Sequence, residues 1–284
     1  MRNLIINADD FGLHLSVNEA IIAGHKDGCI TSTSLMASGQ AGEAAAAVAL
    51  TVPTLGVGVH LTLVAERPVL PPEEIPSLVD ENGCFWADHM VFIKKYIAGK
   101  ISLLEVRREC EAQLKRIQSW GIMPTHIDSH QHLHVLPKIF TICLDLAKEN
   151  GINKMRLPAE PCGFSGKFPA TFGRKIAKCG LTVLAEIARV RARRQGIYTP
   201  DSFFGMVAGG HMQECFLRAI LEALPTGTSE IMIHPGRDNV LLQKQYGWPY
   251  HWEEEFQAVT STEILNWIKE NHVNLISFKE LSHE

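Results

Sequence analysis

Four histidines fall within nine residues near the middle of the chain, from His126 to His134. Positions 126, 128 and 130 are histidine, aspartate and histidine, and a β-strand directs every second side chain to one face. Imidazole and carboxylate together are typical ligands of zinc and other first-row divalent ions. Because one metal cannot take all four histidines, we expect some of them to orient a ligand through the far ring nitrogen. A His-rich turn without a metal is the alternative interpretation.

Two adjacent carboxylates, Asp9 and Asp10, follow a short apolar run near the start of the chain. Neighbouring carboxylates repel each other, and a divalent cation close to both would relieve that repulsion. A helix N-cap or a surface turn would also explain the pair, because Asp-Phe-Gly precedes a predicted helix.

Two isolated histidines also follow apolar runs. His60 comes after Gly-Val-Gly-Val, whose glycines would allow a ligand or a backbone to approach closely. His234 comes after Ile-Met-Ile and precedes Pro-Gly. His60 suits a metal ligand or a hydrogen-bonded core residue, and His234 suits a proton donor or a backbone contact.

These groups together favour metal-assisted hydrolysis. One or two carboxylates and two histidines would form an open metal site that leaves room for water. A second carboxylate would act as general base on that water, and a histidine across the site would act as the acid. The chain has no G-x-S-x-G motif that would supply a serine nucleophile.

An alternation of short apolar strands with amphipathic helices positions these groups. It occurs seven or eight times, which predicts a parallel sheet covered by helices. The candidate strands are 4–8, 30–37, 55–63, 125–129, 154–157, 202–207, 230–234 and 274–278. Ser16-x-x-Glu19 and Ser102-x-x-Glu105 predict helix starts, and 170–195 predicts a long helix.

We therefore predict a single domain over residues 1–284, folded as a deformed (β/α) barrel of the TIM type with seven or eight parallel strands. A doubly wound open sheet is the alternative. In an α/β barrel the active-site groups lie at the carboxyl ends of the strands, where the candidate residues above fall.

Composition excludes several other classes. With 46% hydrophobic and 20% charged residues and a net charge of −4, the chain suits a globular protein with a large core and no nucleic-acid partner. Seven scattered cysteines without a C-x-x-C pair predict a reduced, cytoplasmic protein. We find no signal peptide and no apolar run of the roughly 18 residues that a membrane span needs.

Two segments need a separate interpretation. The stretch 67–86 is too rich in proline for a helix or a central strand, and predicts a loop that is either a substrate-side lid or a surface insertion. The stretch from Arg174 to Arg194 mixes basic and apolar residues at helical spacing. This helix would either present a solvated outer face or make weak contact with an anionic membrane surface.

Four segments resemble the YdjC-like carbohydrate deacetylases in order and spacing. They are residues 7–12 (NADDFG), 58–60 (GVH), 125–134 (THIDSHQHLH) and 234–236 (HPG). Residues 69–76 (VLPPEEIP) and 246–252 (YGWPYHW) are more similar to the hopanoid-biosynthesis-associated HpnK branch than to the chitooligosaccharide deacetylase branch.

This resemblance implies a deformed barrel and a divalent-metal-dependent N-deacetylase. It would make Asp10, His60 and His130 the metal ligands. Asp9 would be the general base, and His234 the acid or the oxyanion partner. The family is usually described with magnesium, whereas two imidazole ligands favour zinc, cobalt or a similar ion, so both metals are retained.

Arg156-Leu157-Pro158 is similar to the R-x-P element of the more distant polysaccharide deacetylases, in which an arginine orients the catalytic aspartate. Arg156 would then keep Asp9 ionised through an ion pair. An arginine paired with a structural carboxylate is the alternative.

Aromatic residues at 246, 248, 250 and 252 either line the mouth of the barrel or pack their own loop onto it. Rings at the mouth would stack on a sugar face. We predict His132, Trp248 and Tyr250 as substrate-binding residues.

The predicted substrate is an N-acetylglucosamine-containing carbohydrate or glycolipid, either a chitooligosaccharide or a hopanoid-linked amino sugar, and the product is acetate. The family resemblance also implies a homodimer. Two alternatives remain: another barrel metal hydrolase, such as an amidohydrolase or a PHP-type phosphoesterase, and a non-catalytic sugar-binding protein of the same fold.

Overall fold

The computed structural model describes residues 1–164, 166–169 and 171–282. The strands are β1 (Arg2–Phe11), β2 (Ser32–Leu35), β3 (Gly56–Leu61), β4 (Ile127–Ser129), β5 (Ser202–Phe204), β6 (Gly227–Ile233) and β7 (Asn274–Leu275). The helices are α1 (Leu15–Lys26), α2 (Gly42–Ala49), α3 (His89–Ile97), α4 (Leu103–Ser119), α5 (Pro137–Glu149), α6 (Phe172–Arg194), α7 (Glu214–Glu222), α8 (Asn239–Tyr246), α9 (Trp252–Thr260) and α10 (Thr262–Glu270). Short 3₁₀ turns span Pro72–Glu74 and His130–Val135.

The strands form one parallel sheet in the order β4-β3-β2-β1-β6-β5, with β7 paired to the first residues of β1. Isolated bridges from Ile127 to Met155 and from Lys154 to Tyr198 carry the pairing beyond β4, to the chain just before β5. The sheet therefore curls round on itself, which confirms the predicted deformed (β/α) barrel over the open sheet. The predicted strand at 154–157 is reduced to these bridges.

The inner face of the barrel changes from apolar to polar along β1, because side chains of a strand alternate between its faces. One set of β1 residues joins the main core with the helices: Leu4, Ile6 and Ala8. Ile5, on the other face, packs with Phe278 and Leu281 in a small separate cluster. Asn7 and Asp9 follow Ile5 on that inner face and are buried. The polar side chains therefore lie above an apolar floor, towards the carboxyl ends of the strands.

Local sequence signals placed α1, α4 and α6 to within a few residues. Ser102 caps α4, as predicted, by accepting a hydrogen bond from the N–H of Glu105 at 3.4 Å. The predicted cap at Ser16 was wrong, because the ring of His14 accepts the N–H of Ser16 and begins α1 two residues earlier. Helix α6 matches the predicted 170–195, of which residue 170 lies outside the described residues. Among the helices described, none is long and apolar enough to cross a bilayer.

The Pro-rich segment is tied to α4 by a buried carboxylate. Glu109 accepts the N–H groups of Val69 at 2.8 Å and Leu70 at 3.0 Å, one with each oxygen. An antiparallel bridge between Val79 and Phe85 closes the later part of the segment. This segment begins six residues after the end of β3, the strand that carries His60.

Candidate active site

A cavity of about 130 Å³ lies where the carboxyl ends of the strands converge. Six residues that the sequence singled out line it: Asp9, His60, His130, His132, His234 and Tyr250. They come from β1, β3, the turn after β4, the residue after β6 and the loop after α8. The barrel thus brings together side chains that lie more than 200 residues apart in the sequence.

The three residues predicted as metal ligands form a compact buried cluster. Asp10 Oδ1 lies 3.4 Å from His60 Nε2 and 3.1 Å from His130 Nδ1. One ligand atom from each of the three residues lies within 4.8 Å of the others. Asp10 takes a left-handed backbone conformation, with φ of 64°, which turns its carboxylate towards the two histidines at the end of β1.

The donor set fits a divalent cation. The second oxygen of Asp10 is buried and has no hydrogen-bond partner among the described residues, an arrangement that costs free energy unless a ligand satisfies it. His60 Nδ1 lies 2.8 Å from Asp128 Oδ1, which leaves Nε2 as the nitrogen directed at Asp10. A second group of Asp9, His60 and Asp128 fits less well, because Arg156 already bonds to both of its carboxylates.

The carboxylates and histidines of the cluster shift each other's pKa values. Burial lowers the pKa of His60, but the carboxylates of Asp128 and Asp9 outweigh it and raise this pKa to about 10. Burial raises the pKa of Asp10, but His130 and His60 beside it hold that pKa well below its usual range. The Asp10 carboxylate is therefore ionised, and its negative charge favours a bound cation at the cluster.

Arg156 and Asp9 form a bidentate ion pair. Its two terminal nitrogens donate to Oδ1 and Oδ2 of Asp9 at 2.6 and 2.7 Å. The same guanidinium donates through Nε to Glu230 at 2.7 Å and lies 3.0 Å from Asp128. Since Arg156 is fully buried, this network fixes Asp9 relative to the carboxylate behind His60. Burial raises the pKa of Glu230 to about 8 even though Arg156 opposes this shift.

His234 lies across the cavity and is held through its backbone. Its N–H donates a short hydrogen bond to Glu255 Oε2 from α9. The ring stands edge-on to Tyr250, with the ring centroids 5.0 Å apart. Its Nδ1 lies 3.8 Å from the same carboxylate and has no hydrogen-bond partner among the described residues. A buried, positioned imidazole with an unpaired nitrogen can exchange a proton with a group in the cavity.

Of the aromatic residues in 246–252, two pack the loop onto the barrel and two line cavities. Trp252 is fully buried and the hydroxyl of Tyr246 donates to the carbonyl of Leu13 at 2.9 Å, so these two pack the loop onto the barrel. Tyr250 lines the cavity, and Trp248 stacks on the His130 ring with the centroids 5.1 Å apart. Trp248 and Tyr250 also line an adjoining cavity of about 310 Å³. The two aromatics chosen from the sequence thus lie beside the cluster of candidate metal ligands.

His132 also lines the cavity. It is buried, and its Nδ1 has no hydrogen-bond partner among the described residues. Burial and the charge of Arg156 hold its pKa well below the usual range, so the ring is neutral. Gln131 and His132 both take positive φ, near 55°, as the chain turns sharply after β4.

The other two histidines of the run lie beneath the site. His126 stacks on Phe278, with the ring centroids 3.7 Å apart, in the space that a side chain at Gly58 would fill. His134 Nδ1 lies 2.7 Å from Ser129 Oγ, and its Nε2 lies 3.0 Å from the carbonyl of Arg156. Strand β4 ends at Ser129, so the prediction that His130 continues the strand was wrong. The space beside Gly58 of β3 is therefore occupied by the His126 ring and not by a ligand.

The buried His126 predicts acid sensitivity. Burial lowers the pKa of His126 to about 3, whereas the unfolded chain protonates it near its usual value of about 6.5. Between about pH 6.5 and pH 3 the unfolded state therefore binds more protons than the folded state. The free energy of unfolding falls as the pH drops through this range. We expect His126→Gln to remove up to about 1.4 kcal/mol of this loss per pH unit, as measured by urea unfolding at several pH values. The exposed His272→Gln should keep the wild-type slope, and an unchanged slope in His126→Gln would contradict the prediction.

Several site residues carried no sequence signal. Arg174 lines the cavity, although the sequence singled it out only as part of a basic helix; its guanidinium donates to the carbonyl of Gly209 at 3.1 Å. Burial raises the pKa of Glu66 to about 7, a shift that His130 opposes and Asp10 reinforces. Glu230 and Glu255 belong to no recognisable motif. Only the folded chain brings these residues to the site.

The chain matches known proteins over nearly its whole length. The family model described as YdjC-like protein matches residues 3–270. A carbohydrate deacetylase of Brevibacillus brevis is 31% identical over 281 residues, covering 98% of this chain and 99% of the relative. A chitooligosaccharide deacetylase of Proteus mirabilis is 30% identical over 285 residues, covering 98% of both chains.

A solved structure agrees with the fold. The crystal structure of a protein from Enterococcus faecalis, described as a putative cellobiose-phosphate cleavage protein, is similar with a TM-score of 0.76 and 29% identity. The similarity covers 99% of each chain. The barrel, the match of the family model and the full-length relatives lead to one conclusion: the chain belongs to the YdjC-like family.

Proposed function

We propose that the protein is a divalent-metal-dependent carbohydrate N-deacetylase. It would hydrolyse the acetamide of an N-acetylglucosamine-containing carbohydrate or glycolipid and release acetate. The observation that carries this proposal is the buried cluster of Asp10, His60 and His130, whose two histidines line one cavity with Asp9 and His234. The names of the relatives, carbohydrate deacetylase and chitooligosaccharide deacetylase, support the reaction and the substrate class.

The residues divide the chemistry between them. A divalent cation held by Asp10, His60 and His130 would supply the positive charge that polarises an acetamide carbonyl and makes water more acidic. Asp9 accepts the proton of the attacking water, since it lines the cavity and the ion pair with Arg156 keeps its carboxylate oriented.

The leaving amine needs a proton from the other side of the cavity. His234 supplies it when the C–N bond breaks, because its ring lines the cavity and its Nδ1 is unpaired among the described residues. The products are acetate and a free amino sugar. Glu255 acts as a positioning residue, since it holds the backbone N–H of His234.

Sugar recognition falls to His132, Trp248 and Tyr250. Trp248 and Tyr250 present aromatic rings beside the metal-ligand cluster, where a pyranose face can stack. Both a chitooligosaccharide and a hopanoid-linked amino sugar would present the same N-acetylglucosamine unit. Two imidazole ligands favour zinc or another first-row ion, while the family resemblance favours magnesium. The homodimer and the cytoplasmic location stay predictions.

A substrate panel tests this function. Chitobiose, longer chitooligosaccharides and an N-acetylglucosaminyl lipid should each be tried for acetate release, and cellobiose phosphate for phosphate release. We expect acetate from at least one N-acetylated substrate and no phosphate. Phosphate without acetate would favour the phosphoesterase alternative. Binding of an N-acetylated sugar by the metal-loaded protein without turnover would favour the sugar-binding alternative.

A further inference from the structure

Helix α6 carries a row of exposed apolar side chains along its outer face. The row, which we term the α6 stripe, consists of Phe172, Ile176, Val183, Ile187 and Val190. These side chains are 53 to 79% exposed. With about 100° between successive residues of a helix, all five fall within an arc of about 60°. The row extends for about 27 Å at 1.5 Å per residue.

The α6 stripe lies opposite the face that packs on the barrel. Helix α6 buries Lys178, Ala185, Ala188 and Ala192, which fall on the far side of the helix from the stripe. The barrel therefore leaves the stripe uncovered within the part of the chain that the structure describes. A helix whose only role was to cover the sheet would carry polar residues on this outer face. The predicted solvated outer face is thus apolar instead.

Helix α6 carries many more basic than acidic residues. Its sequence contains seven basic residues and one acidic residue, Glu186. Lys175 near the start and Arg193 and Arg194 at the end are exposed, so basic groups flank the stripe at both ends. An apolar row flanked by exposed lysine and arginine is the pattern of a helix that lies in the plane of an anionic bilayer surface.

We infer that the α6 stripe docks the protein on an anionic lipid bilayer as a peripheral, reversible contact. The apolar side chains enter the boundary between headgroups and acyl chains, and the basic residues meet the lipid phosphates. The inference stands apart from the deacetylase proposal, since it uses residues that take no part in that chemistry.

A second copy of this chain is a poorer occupant. The stripe measures roughly 27 by 10 Å, or about 270 Å², whereas a stable dimer buries about 800 Å² on each partner. Two copies of α6 packed antiparallel about a two-fold axis would bring together two helices that each carry seven basic residues and one acidic residue. The like charges oppose that pairing, while an anionic surface attracts both.

The same helix reaches the cavity from its inner side. Arg174 lines the cavity wall, while Phe172, two residues earlier, begins the stripe. Docking through α6 would therefore hold the cavity within about one helix diameter, 10 to 12 Å, of the lipid headgroups.

Vesicle co-sedimentation tests the inference on the full chain. We expect pelleting with vesicles of phosphatidylcholine containing about 30 mol% phosphatidylglycerol at low salt, and much less with phosphatidylcholine alone or at high salt. The Val183→Glu/Ile187→Glu double variant should bind at least about tenfold more weakly, because it places two carboxylates in the stripe. The matched variant Leu104→Glu changes an exposed leucine of α4 and should bind as the wild type does.

A second variant separates charge from apolar contact. Lys175→Glu/Arg194→Glu keeps the stripe and should lose the preference for phosphatidylglycerol. Circular dichroism should show both double variants folded, since every changed side chain is exposed. Failure of the wild type to bind at low salt, or equal binding by the Val183→Glu/Ile187→Glu variant, would overturn the inference. So would a wild-type dimer that this variant converts to monomers in sedimentation equilibrium, because the stripe would then belong to a second copy.

Discussion

Replacing Asp9 with asparagine is expected to lower kcat for acetate release by about a thousandfold. Asparagine has nearly the same shape, but its amide cannot accept the proton of the attacking water. Metal content should stay close to that of the wild type, because Asp10, His60 and His130 form the ligand cluster without Asp9. The measurement is steady-state acetate release on the best substrate of the panel, together with metal analysis by mass spectrometry.

The variant should still fold, for a reason that the structure supplies. Arg156 keeps its contacts with Glu230 and Asp128 when Asp9 loses its charge, so the buried guanidinium is not left unpaired. A loss of about 1 to 3 kcal/mol in unfolding free energy is expected from the weakened pair. Asp145→Asn, at an exposed position of α5, is the matched control and should retain full activity. Activity of Asp9→Asn within about threefold of the wild type would remove Asp9 as the base.

Loss of the metal should have an effect of similar size. His130→Ala leaves two of the three clustered ligands, and bound divalent metal is expected to fall from about one per chain to less than about a tenth. Acetate release should fall by about a thousandfold or more, because both carbonyl polarisation and water acidity depend on that charge. Chelation of the wild type should cause the same loss, and reloading with magnesium, zinc or cobalt in turn should show which ion restores activity.

A neighbouring histidine provides the contrast. His132 lines the same cavity but stands outside the cluster of Asp10, His60 and His130. His132→Ala should therefore keep its metal and raise KM, as expected of a substrate contact. If His130→Ala retains a full complement of metal while His132→Ala loses it, the ligand set has been assigned to the wrong histidine.

Much of the fold could be predicted because its signals are local. Alternating apolar runs and amphipathic stretches indicated the barrel, and Ser102 indicated the start of α4 through a hydrogen bond within one turn. The short strands were predicted less accurately than the helices. Residues 154–157 form only isolated bridges, since at the ring closure the chain pairs for one or two residues and leaves little periodicity to detect.

The candidate site followed from the sequence where polar residues end apolar strands. In a parallel barrel all such ends meet at one rim, so Asp9, Asp10, His60 and His234 could be placed together without coordinates. The different positions of the four histidines in residues 126–134 could not be predicted in the same way. His126 sits under the site and His130 within it, because β4 stops at Ser129 and the chain then turns.

The sequence by itself determined the fold class, the family and the residues that converge on the rim. Only the tertiary structure decided which carboxylates hold Arg156, that Arg174 reaches the cavity, and that the outer face of α6 is apolar and uncovered. The physical reason is that a strand end or a helix cap depends on neighbours a few residues away. The partner of a buried charge, and whether a helix face meets protein or solvent, depend on chain segments that approach from anywhere in the sequence.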